Sequence, residues 1–243
     1  MQVAPGVTRL THGVSNFYLV EAEGGLTLVD AGVAGDWSQL VHTLASLGKR
    51  PSDLKAILLT HAHSDHTGFA ERARREWGMS IWTHSRDAEV GRGGRAPANE
   101  GKLGSYLRYA EAWRTLFGLL LHGGMRVVPI QVLSQFEDGA PLDVPGHPQV
   151  IHLPGHTAGM SALVFESPSV VFTGDALVTR NPLTGRRGPQ VMPRGLNQSS
   201  RQAIDSLARL EGITARLVLP GHGEPWAAGI DAAVQAARSA GPS

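Results

Sequence analysis

Apolar residues in this chain follow two patterns: short runs, and longer stretches with helical spacing. Near the start, three short runs bounded by glycines predict strands at residues 7–11, 17–21 and 26–29. Apolar residues that recur every three or four positions then predict a helix from Asp36 to about Leu47. Strands that precede a helix in this way are typical of mixed α/β proteins.

The alternation of strands and helices continues to the end of the chain. The run 56–59 predicts a buried strand, and a helix is expected from about Gly68 to Trp77. Further strands are predicted at 80–83, 127–132, 149–153, 161–166, 170–173 and 217–219, and further helices at 199–210 and 227–239. Two sheets with helices outside them would enclose the core, although periodicity alone indicates only the α/β class.

Residues 86–125 do not fit this alternation. They begin with a glycine-rich loop at 91–97, which is followed by a helical stretch from about Leu103 to Leu121. The wide apolar face of that stretch consists of Leu103, Leu107, Ala110, Trp113, Leu116, Phe117, Leu120 and Leu121. It is interpreted either as an ordinary buried helix, or as a lid or wall over a site, or as a homodimer surface. Long loops that carry helices over a site often determine substrate choice.

Composition and charge narrow the class of protein. The chain has 243 residues, of which 42 % are hydrophobic, so it can bury a full core. A formal net charge of +1 gives no global reason to expect nucleic-acid or membrane binding. No apolar run approaches the ~18 residues of a membrane span, and no export signal is visible at the start, so a cytoplasmic location is the default expectation. Because cysteine is absent, disulfides and thiolate metal ligands are excluded.

The strongest chemical signal follows the predicted strand at 56–59. Three imidazoles and one carboxylate lie within six residues, in the order His61, His63, Asp65 and His66. Two positions apart on extended chain, His61 and His63 would point to the same side. Neutral imidazole and carboxylate are ligands that suit zinc or iron, so this spacing predicts a divalent metal site. A histidine-rich surface loop is the alternative interpretation.

The spacing His-X-His-X-Asp-His resembles the signature of the metallo-β-lactamase superfamily, a group of metal-dependent hydrolases. Four further segments are similar to loops of that family and occur in the family order, at 29–32, 153–159, 172–175 and 219–223. The resemblance implies a four-layer αββα sandwich. It further implies that residues 1–243 form a single domain of this fold, with a helical insert at about 86–125.

The resemblance also implies a dinuclear centre. One metal would be held by His61, His63 and His156, and the other by Asp65, His66 and His222, with Asp175 between them. The expected cofactors are two divalent ions, with zinc as the first choice and iron or manganese as alternatives. A bridging hydroxide would attack a thioester, ester, lactone or amide bond. Asp65 is the expected catalytic residue that orients the nucleophile and protonates the leaving group, and Asp30 would fix one ligand imidazole.

Within the superfamily, the absence of cysteine favours one branch. Several antibiotic-degrading members place a cysteine in the second metal site, where this chain has Asp175, and the pattern is closer to the glyoxalase II and lactonase branches. A nuclease or phosphodiesterase of the same superfamily is one alternative. A single-iron persulfide dioxygenase is another, although the presence of His66 and His222 argues for two metals.

The last signal is a run of positive charge. From Ala176 to Ile204 there is no acidic residue, although five arginines are present: Arg180, Arg186, Arg187, Arg194 and Arg201. They are interpreted either as solvated loop surface or as a clamp for an anionic group. Together with the apolar insert, the second interpretation predicts a small-molecule substrate with an apolar part and an anionic end. The six histidines outside the ligand set are interpreted as surface or hydrogen-bonded core residues, and His12 and His84, near predicted strand ends that could open toward the site, are the best exceptions.

Overall fold

The computed structural model of the chain describes residues 1–139 and 141–243. Its larger sheet has seven strands, which lie side by side in chain order. They are β1 (Gln2–Ala4), β2 (Val7–Thr11), β3 (Asn16–Ala22), β4 (Gly25–Val29), β5 (Leu54–Leu58), β6 (Ser80–His84) and β7 (Ser134–Phe136). The pairs from β1 to β4 are antiparallel, whereas β4 to β7 run parallel. Loops that leave the carboxyl ends of β4, β5 and β6 therefore meet at one edge of the sheet.

The second half of the chain forms the smaller sheets. Their strands are β8 (Gln149–His152), β9 (Ser161–Phe165), β10 (Val170–Gly174), β11 (Val178–Arg180), β12 (Arg187–Gln190) and β13 (Leu217–Pro220). One sheet has the order β13-β10-β9-β8, and β11 pairs separately with β12. Strands β10 and β13 are parallel neighbours, so the loops that follow them also leave from the same edge.

Seven α-helices accompany the sheets in the described part of the chain. They are α1 (Trp37–Ser46), α2 (Ser64–Thr67), α3 (Ala70–Trp77), α4 (Ala88–Gly91), α5 (Ala110–Leu121), α6 (Ser200–Ser206) and α7 (Ile230–Ala240). None of these helices has the combination of length and apolarity that a membrane crossing requires.

Strand β3 shows why the two sheets stack. Its side chains alternate, so Phe17 and Leu19 enter an apolar cluster that is shared with α1 and α3. On the opposite face, Tyr18 and Val20 enter a second cluster that also contains residues of β9, β10 and β13. A third cluster packs α6 and α7 against the outer face of the smaller sheet. The layers are therefore helix, sheet, sheet and helix, and the predicted four-layer αββα sandwich is confirmed.

Most predicted elements are present, but the predicted strand at 127–132 is wrong. These residues, all of which the structure describes, form no strand, and the edge of the larger sheet is β7 instead. Pro129 has no N–H to donate to a sheet, and Val127 and Val132 are exposed. Ile130 is buried alone, and its backbone N–H donates to the Gly91 carbonyl at 2.9 Å. The short strands β1, β11 and β12 were not predicted.

The predicted helical stretch at 103–121 is divided. A 3₁₀ turn covers Leu103–Tyr106, and α5 begins at Ala110. Tyr106 is buried, and its hydroxyl donates to the Ser243 carbonyl at 2.8 Å. The side chain therefore ties the turn to the C-terminal residue, and the two pieces do not continue as one helix.

Candidate metal centre

The first candidate ligands lie on the loop that leaves β5. The Thr60 N–H donates to the Asp30 carboxylate at 2.8 Å, and the Thr60 hydroxyl donates to it at 2.9 Å. Asp30 follows β4 in a left-handed conformation, with φ of 61°, which aspartate tolerates better than most residues. The two loops are thereby held together, and His61, which directly follows Thr60, is fully buried.

Seven side chains converge at this edge, and they come from both halves of the chain. They fall into the groups His61, His63 and His156; His61, His66 and Asp175; and Asp65, His66 and His222, with the ligand atoms of each group within 4.8 Å of one another. All seven predicted ligands are therefore close together.

Asp175 lies between the histidines of the two halves. Its Oδ2 is 3.4 Å from His156 Nε2 and 3.3 Å from His222 Nε2, and its Oδ1 is 3.5 Å from His66 Nε2. On the far side, Asp65 Oδ2 is 3.5 Å from His222 Nε2. One carboxylate is thus central, and the other closes one end of the cluster.

Three buried atoms at the centre have no hydrogen-bond partner in the described part of the chain: His61 Nε2, His66 Nε2 and Asp175 Oδ1. Buried polar atoms are rarely left without partners. Imidazole nitrogen and carboxylate oxygen are the donors that zinc and iron accept, so the donor set fits divalent ions. Gly221 packs directly against the cluster, because a Cβ there would lie 2.2 Å from Asp175 Oδ1. A larger residue at this position would therefore displace the carboxylate.

Asp30 orients one of the imidazoles, as predicted. His66 Nδ1 is 2.9 Å from Asp30 Oδ2, and both side chains are buried. A carboxylate partner on Nδ1 fixes the ring and leaves Nε2 facing the centre. The predicted contact between Asp30 and one of these imidazoles is therefore present.

Two further partners of imidazoles were not predicted. His222 Nδ1 donates to the Val14 carbonyl at 2.8 Å, and His156 Nδ1 is 3.3 Å from Asn197 Oδ1. Both contacts turn Nε2 towards Asp175. The first uses a backbone atom, which leaves no trace in the side-chain pattern, and Asn197 lies in an irregular segment before α6.

Asp87 is a third residue that sequence reasoning missed. Its buried carboxylate accepts hydrogen bonds from Ala62 N at 3.2 Å, Thr157 Oγ1 at 2.7 Å and Gly159 N at 2.7 Å. It therefore links the loop of His61 and His63 to the loop of His156. The available signal was its position, three residues after the carboxyl end of the parallel strand β6.

The electrostatics of the cluster divide the imidazoles into two kinds. Burial, reinforced by the neighbouring His63, lowers the pKa of His156 to about 3, and burial likewise lowers the pKa of His61. Burial also acts to lower the pKa of His66, but the carboxylates of Asp175, Asp65 and Asp30 outweigh it and raise that pKa to about 9. One side of the site therefore offers neutral nitrogen lone pairs.

Asp65 and Asp175 supply the negative charge of the cluster. Burial acts to raise the pKa of Asp65, but His66 and His222 outweigh it and hold that pKa well below its usual range. The pKa of Asp175 is likewise lowered by His222 and His66 against the effect of burial. Two carboxylates that stay ionised at the centre favour a bound cation.

An apolar cavity of about 370 Å³ opens onto this cluster. Asp65, His156, Asp175 and His222 form part of its floor. Its apolar wall includes Leu103, Leu107, Leu116, Leu119, Leu183 and Met192. The insert therefore contributes a wall of the cavity, while its outer residues Trp113 and Phe117 are 55 % and 62 % exposed. The interpretation of this stretch as an ordinary buried helix is wrong.

A second cavity of about 570 Å³ shares His222 with the first and is lined by several charged residues. Arg9 pairs there with Glu224 at 2.7 Å, and Arg180 pairs with Glu111 at 2.5 Å. Arg187 also lines this cavity and, among the described residues, forms no ion pair.

The remaining arginines of the run have other contacts. Arg194 lies 3.7 Å from Glu100, Arg201 lies 3.7 Å from Asp205, and Arg186 donates to the Ala240 carbonyl at 3.4 Å. None of these three lines either of the two cavities beside the cluster.

The two histidines considered as exceptions are outside the cluster. His12 Nδ1 contacts Asp36 Oδ1 at 2.5 Å, and His84 stacks on His152 with ring centroids 4.1 Å apart. Neither belongs to a group of possible metal ligands among the described residues.

Known proteins resemble this chain over most of its length. A family model described as the metallo-beta-lactamase superfamily matches residues 10–222. The probable metallo-hydrolase YflN of Bacillus subtilis strain 168 is 27 % identical over 239 residues, which is 92 % of this chain and 86 % of that protein.

Two solved structures extend the similarity to the fold. The metallo-beta-lactamase family protein TTHA1429 from Thermus thermophilus matches with a TM-score of 0.67 and 26 % identity, covering 96 % of this chain and 78 % of that one. TTHA1623 in a di-iron-bound form matches with a TM-score of 0.65 and 26 % identity, covering 93 % and 96 %.

Proposed function

Because this chain belongs to the metallo-beta-lactamase superfamily of metallo-hydrolases, we propose that it hydrolyses a thioester, ester, lactone or amide with two divalent metal ions. The observation that carries the proposal is the buried set of atoms without hydrogen-bond partners among the described residues, His61 Nε2, His66 Nε2 and Asp175 Oδ1. These three side chains form one group of possible ligands. That group shares His61 with the group of His63 and His156, and it shares His66 with the group of Asp65 and His222. Asp175 is within 3.5 Å of His66 and His156.

In this proposal, one ion is held by His61, His63 and His156 and the other by Asp65, His66 and His222, with Asp175 between them. The match to TTHA1623 in a di-iron-bound form supports a pair of ions in this fold and makes iron a candidate beside zinc and manganese. Divalent ions at such a site lower the pKa of water and stabilise negative charge that develops on the substrate oxygen.

Asp65 is the proposed catalytic residue. Both carboxylates border the cavity, but the Asp65 side chain is 20 % exposed and that of Asp175 only 2 %, so Asp65 is the more accessible to a substrate. It would accept a proton from the attacking water and return it to the leaving group. Asp30 would hold His66 in the tautomer whose Nε2 is free.

The two cavities beside the cluster support a substrate with two unlike parts. An apolar acyl portion would lie against Leu116 and Leu119 of the insert, and an anionic portion would extend towards Arg187. Glyoxalase II-like and lactonase-like reactions both stay within this proposal, since the second metal site carries Asp175 rather than cysteine.

Metal content tests the dinuclear centre. Elemental analysis of protein purified without chelator should find close to two equivalents of zinc, iron or manganese per chain. His222→Ala should hold fewer, whereas His42→Ala, at an exposed histidine of α1, should hold as many as the natural protein. One equivalent that persists after reloading would contradict two ions and favour the single-iron dioxygenase alternative.

Substrate preference tests the reaction. A panel of thioesters, lactones, β-lactams and phosphodiesters should be assayed with zinc-, iron- and manganese-loaded protein. We expect turnover of acyl substrates that carry an apolar chain. If a single-stranded oligonucleotide or phosphodiester were the preferred substrate, the nuclease alternative would replace this proposal.

A further inference from the structure

Exposed apolar side chains are concentrated on the insert and the segment after it. Of twelve large hydrophobic residues that are exposed among the described residues, nine lie between positions 103 and 132. The nine are Leu103, Leu107, Trp113, Phe117, Leu120, Leu121, Met125, Val127 and Val132. Isolated exposed hydrophobics are normal on a protein surface, whereas a concentration of this kind marks an interaction site.

Helix α5 explains why this surface needs a partner. Its inner side chains Leu116 and Leu119 line the apolar cavity, and Ala112 is buried. Its exposed residues Trp113, Phe117, Leu120 and Leu121 span an arc of about 100° that adjoins this inner side, so the apolar surface of the helix continues beyond the part that lines the cavity. A surface helix ordinarily exposes polar residues outside its buried stripe, so the exposed apolar arc indicates a face that a partner covers.

The unpaired charges around this face are positive. Lys102, Arg108, Arg114 and Arg126 are exposed and, within the described part of the chain, form no ion pair. The one acidic residue between positions 102 and 132 is Glu111, whose carboxylate is already paired with Arg180. The apolar face is therefore accompanied by four cations without a free carboxylate.

This charge distribution selects among possible partners. In a two-fold dimer the same patch meets itself, so a second copy of the chain would bring like charges together. An anionic lipid surface offers the opposite charge along with an apolar interior for Trp113 and Phe117, and tryptophan suits such interfaces. Basic residues near the surface strengthen this attraction.

From these observations we propose that the outer face of α5, with its flanking cations, docks on the surface of an anionic phospholipid membrane. The contact is peripheral, since none of the described helices is long enough to cross a bilayer. Leu103, Leu107 and Met125 are exposed and also line the apolar cavity, so the docked face borders the cavity mouth. The proposal does not depend on which bond the centre hydrolyses.

Sedimentation with vesicles tests the docking. The metal-loaded protein should pellet with phosphatidylcholine vesicles that contain phosphatidylglycerol at least tenfold more strongly than with pure phosphatidylcholine. Binding should fall as salt rises, because surface charges are screened. The double variant F117E/L121E should lose vesicle binding. The matched control V41E/L47E changes two exposed hydrophobics of the α1 region, outside the patch, and should retain it.

A charge variant separates the electrostatic part from the apolar part. Replacing Arg114 and Arg126 by Gln should weaken binding to anionic vesicles about fivefold for each cation removed. Circular dichroism and metal content should match the natural protein in every variant, which excludes unfolding as the cause of lost binding.

Three results would overturn the proposal. One is a protein that fails to pellet with anionic vesicles. Another is equal binding to neutral and anionic vesicles. The third is a concentration-dependent dimer in sedimentation velocity that F117E/L121E abolishes, which would assign the face to a second copy of the chain instead.

Discussion

The ligand loops and the insert border the same cavity, but they are held in opposite ways. In the ligand loops, His66 and His222 are buried and each has a partner on Nδ1 as well as neighbours at Nε2. In the insert, Trp113 and Phe117 are more than half exposed, and the helix packs few of its side chains inside. Several contacts hold each of these imidazoles in place, so we call the ligand loops the restrained region. The outer face of the insert has few contacts within the described part of the chain, so we call the insert the unrestrained region.

The sharpest test of the restrained region is Asp65→Asn. The amide keeps the shape of the side chain but loses the charge beside His66 and His222 and cannot take up the proton. We expect kcat to fall at least ~10²-fold, the scale of general acid–base catalysis, with little change in thermal stability.

The control for this change is Asp143→Asn, at an exposed aspartate. It should leave both turnover and stability unaltered. Near-natural turnover of the Asp65 variant with its metal intact would remove this residue from the mechanism.

A smaller but still large effect is expected where one side chain connects two ligand loops. Asp87→Ala would leave the buried donors of Ala62, Thr157 and Gly159 without an acceptor. We expect a loss of about 2 kcal/mol in the free energy of unfolding, measured with urea on chelated protein.

The metal content of the Asp87 variant separates positioning from simple stability. Outer partners of metal ligands typically change metal affinity by about 10- to 100-fold, and the variant should show a loss in that range when folded and reloaded. Unchanged stability and affinity would mean that the two loops are held by other contacts.

The smallest effect is expected in the second cavity, which is lined both by residues of α5 and by His222. Arg187→Ala should raise KM for an anionic substrate about threefold to fivefold, because exposed charge pairs contribute little. A neutral analogue should be almost unaffected. Arg186→Ala is the matched control, since Arg186 contacts the Ala240 carbonyl and does not line the cavity. Equal responses of the two substrates would identify Arg187 as solvated surface.

The sequence predicted the restrained region well for a physical reason. Short apolar runs identified β2, β3, β4 and β5 to within two residues, because each of these strands contributes side chains to the apolar clusters on both sides of the sheet. Ligand residues follow several of the predicted strands, but their assembly into one centre was expected from the family resemblance and not from the strand pattern. Contacts that use backbone atoms, such as the Val14 carbonyl on His222, leave no residue-type signal and were not predicted.

The unrestrained region was predicted less well. The pattern between Leu103 and Leu121 identified helical spacing, but so wide an apolar face does not show which part of it is buried. The 3₁₀ turn before α5 carries Tyr106, whose hydrogen bond to Ser243 spans 137 positions and has no local sequence signal. Val127 to Val132 is rich in β-branched residues, but Pro129 within it cannot donate to a sheet, and no strand forms there.

The hydrogen bond between Val14 and His222 joins residues 208 positions apart, and Asn16 and Tyr18 reach the Pro220 carbonyl over similar distances along the chain. Closing such long loops is slow, because the entropy is lost before the contacts form. On the ribosome, His61, His63 and His66 emerge long before His222. The order of synthesis therefore presents an unfinished histidine cluster to the cell, and the site is completed only after His222, 156 positions after His66, has been translated.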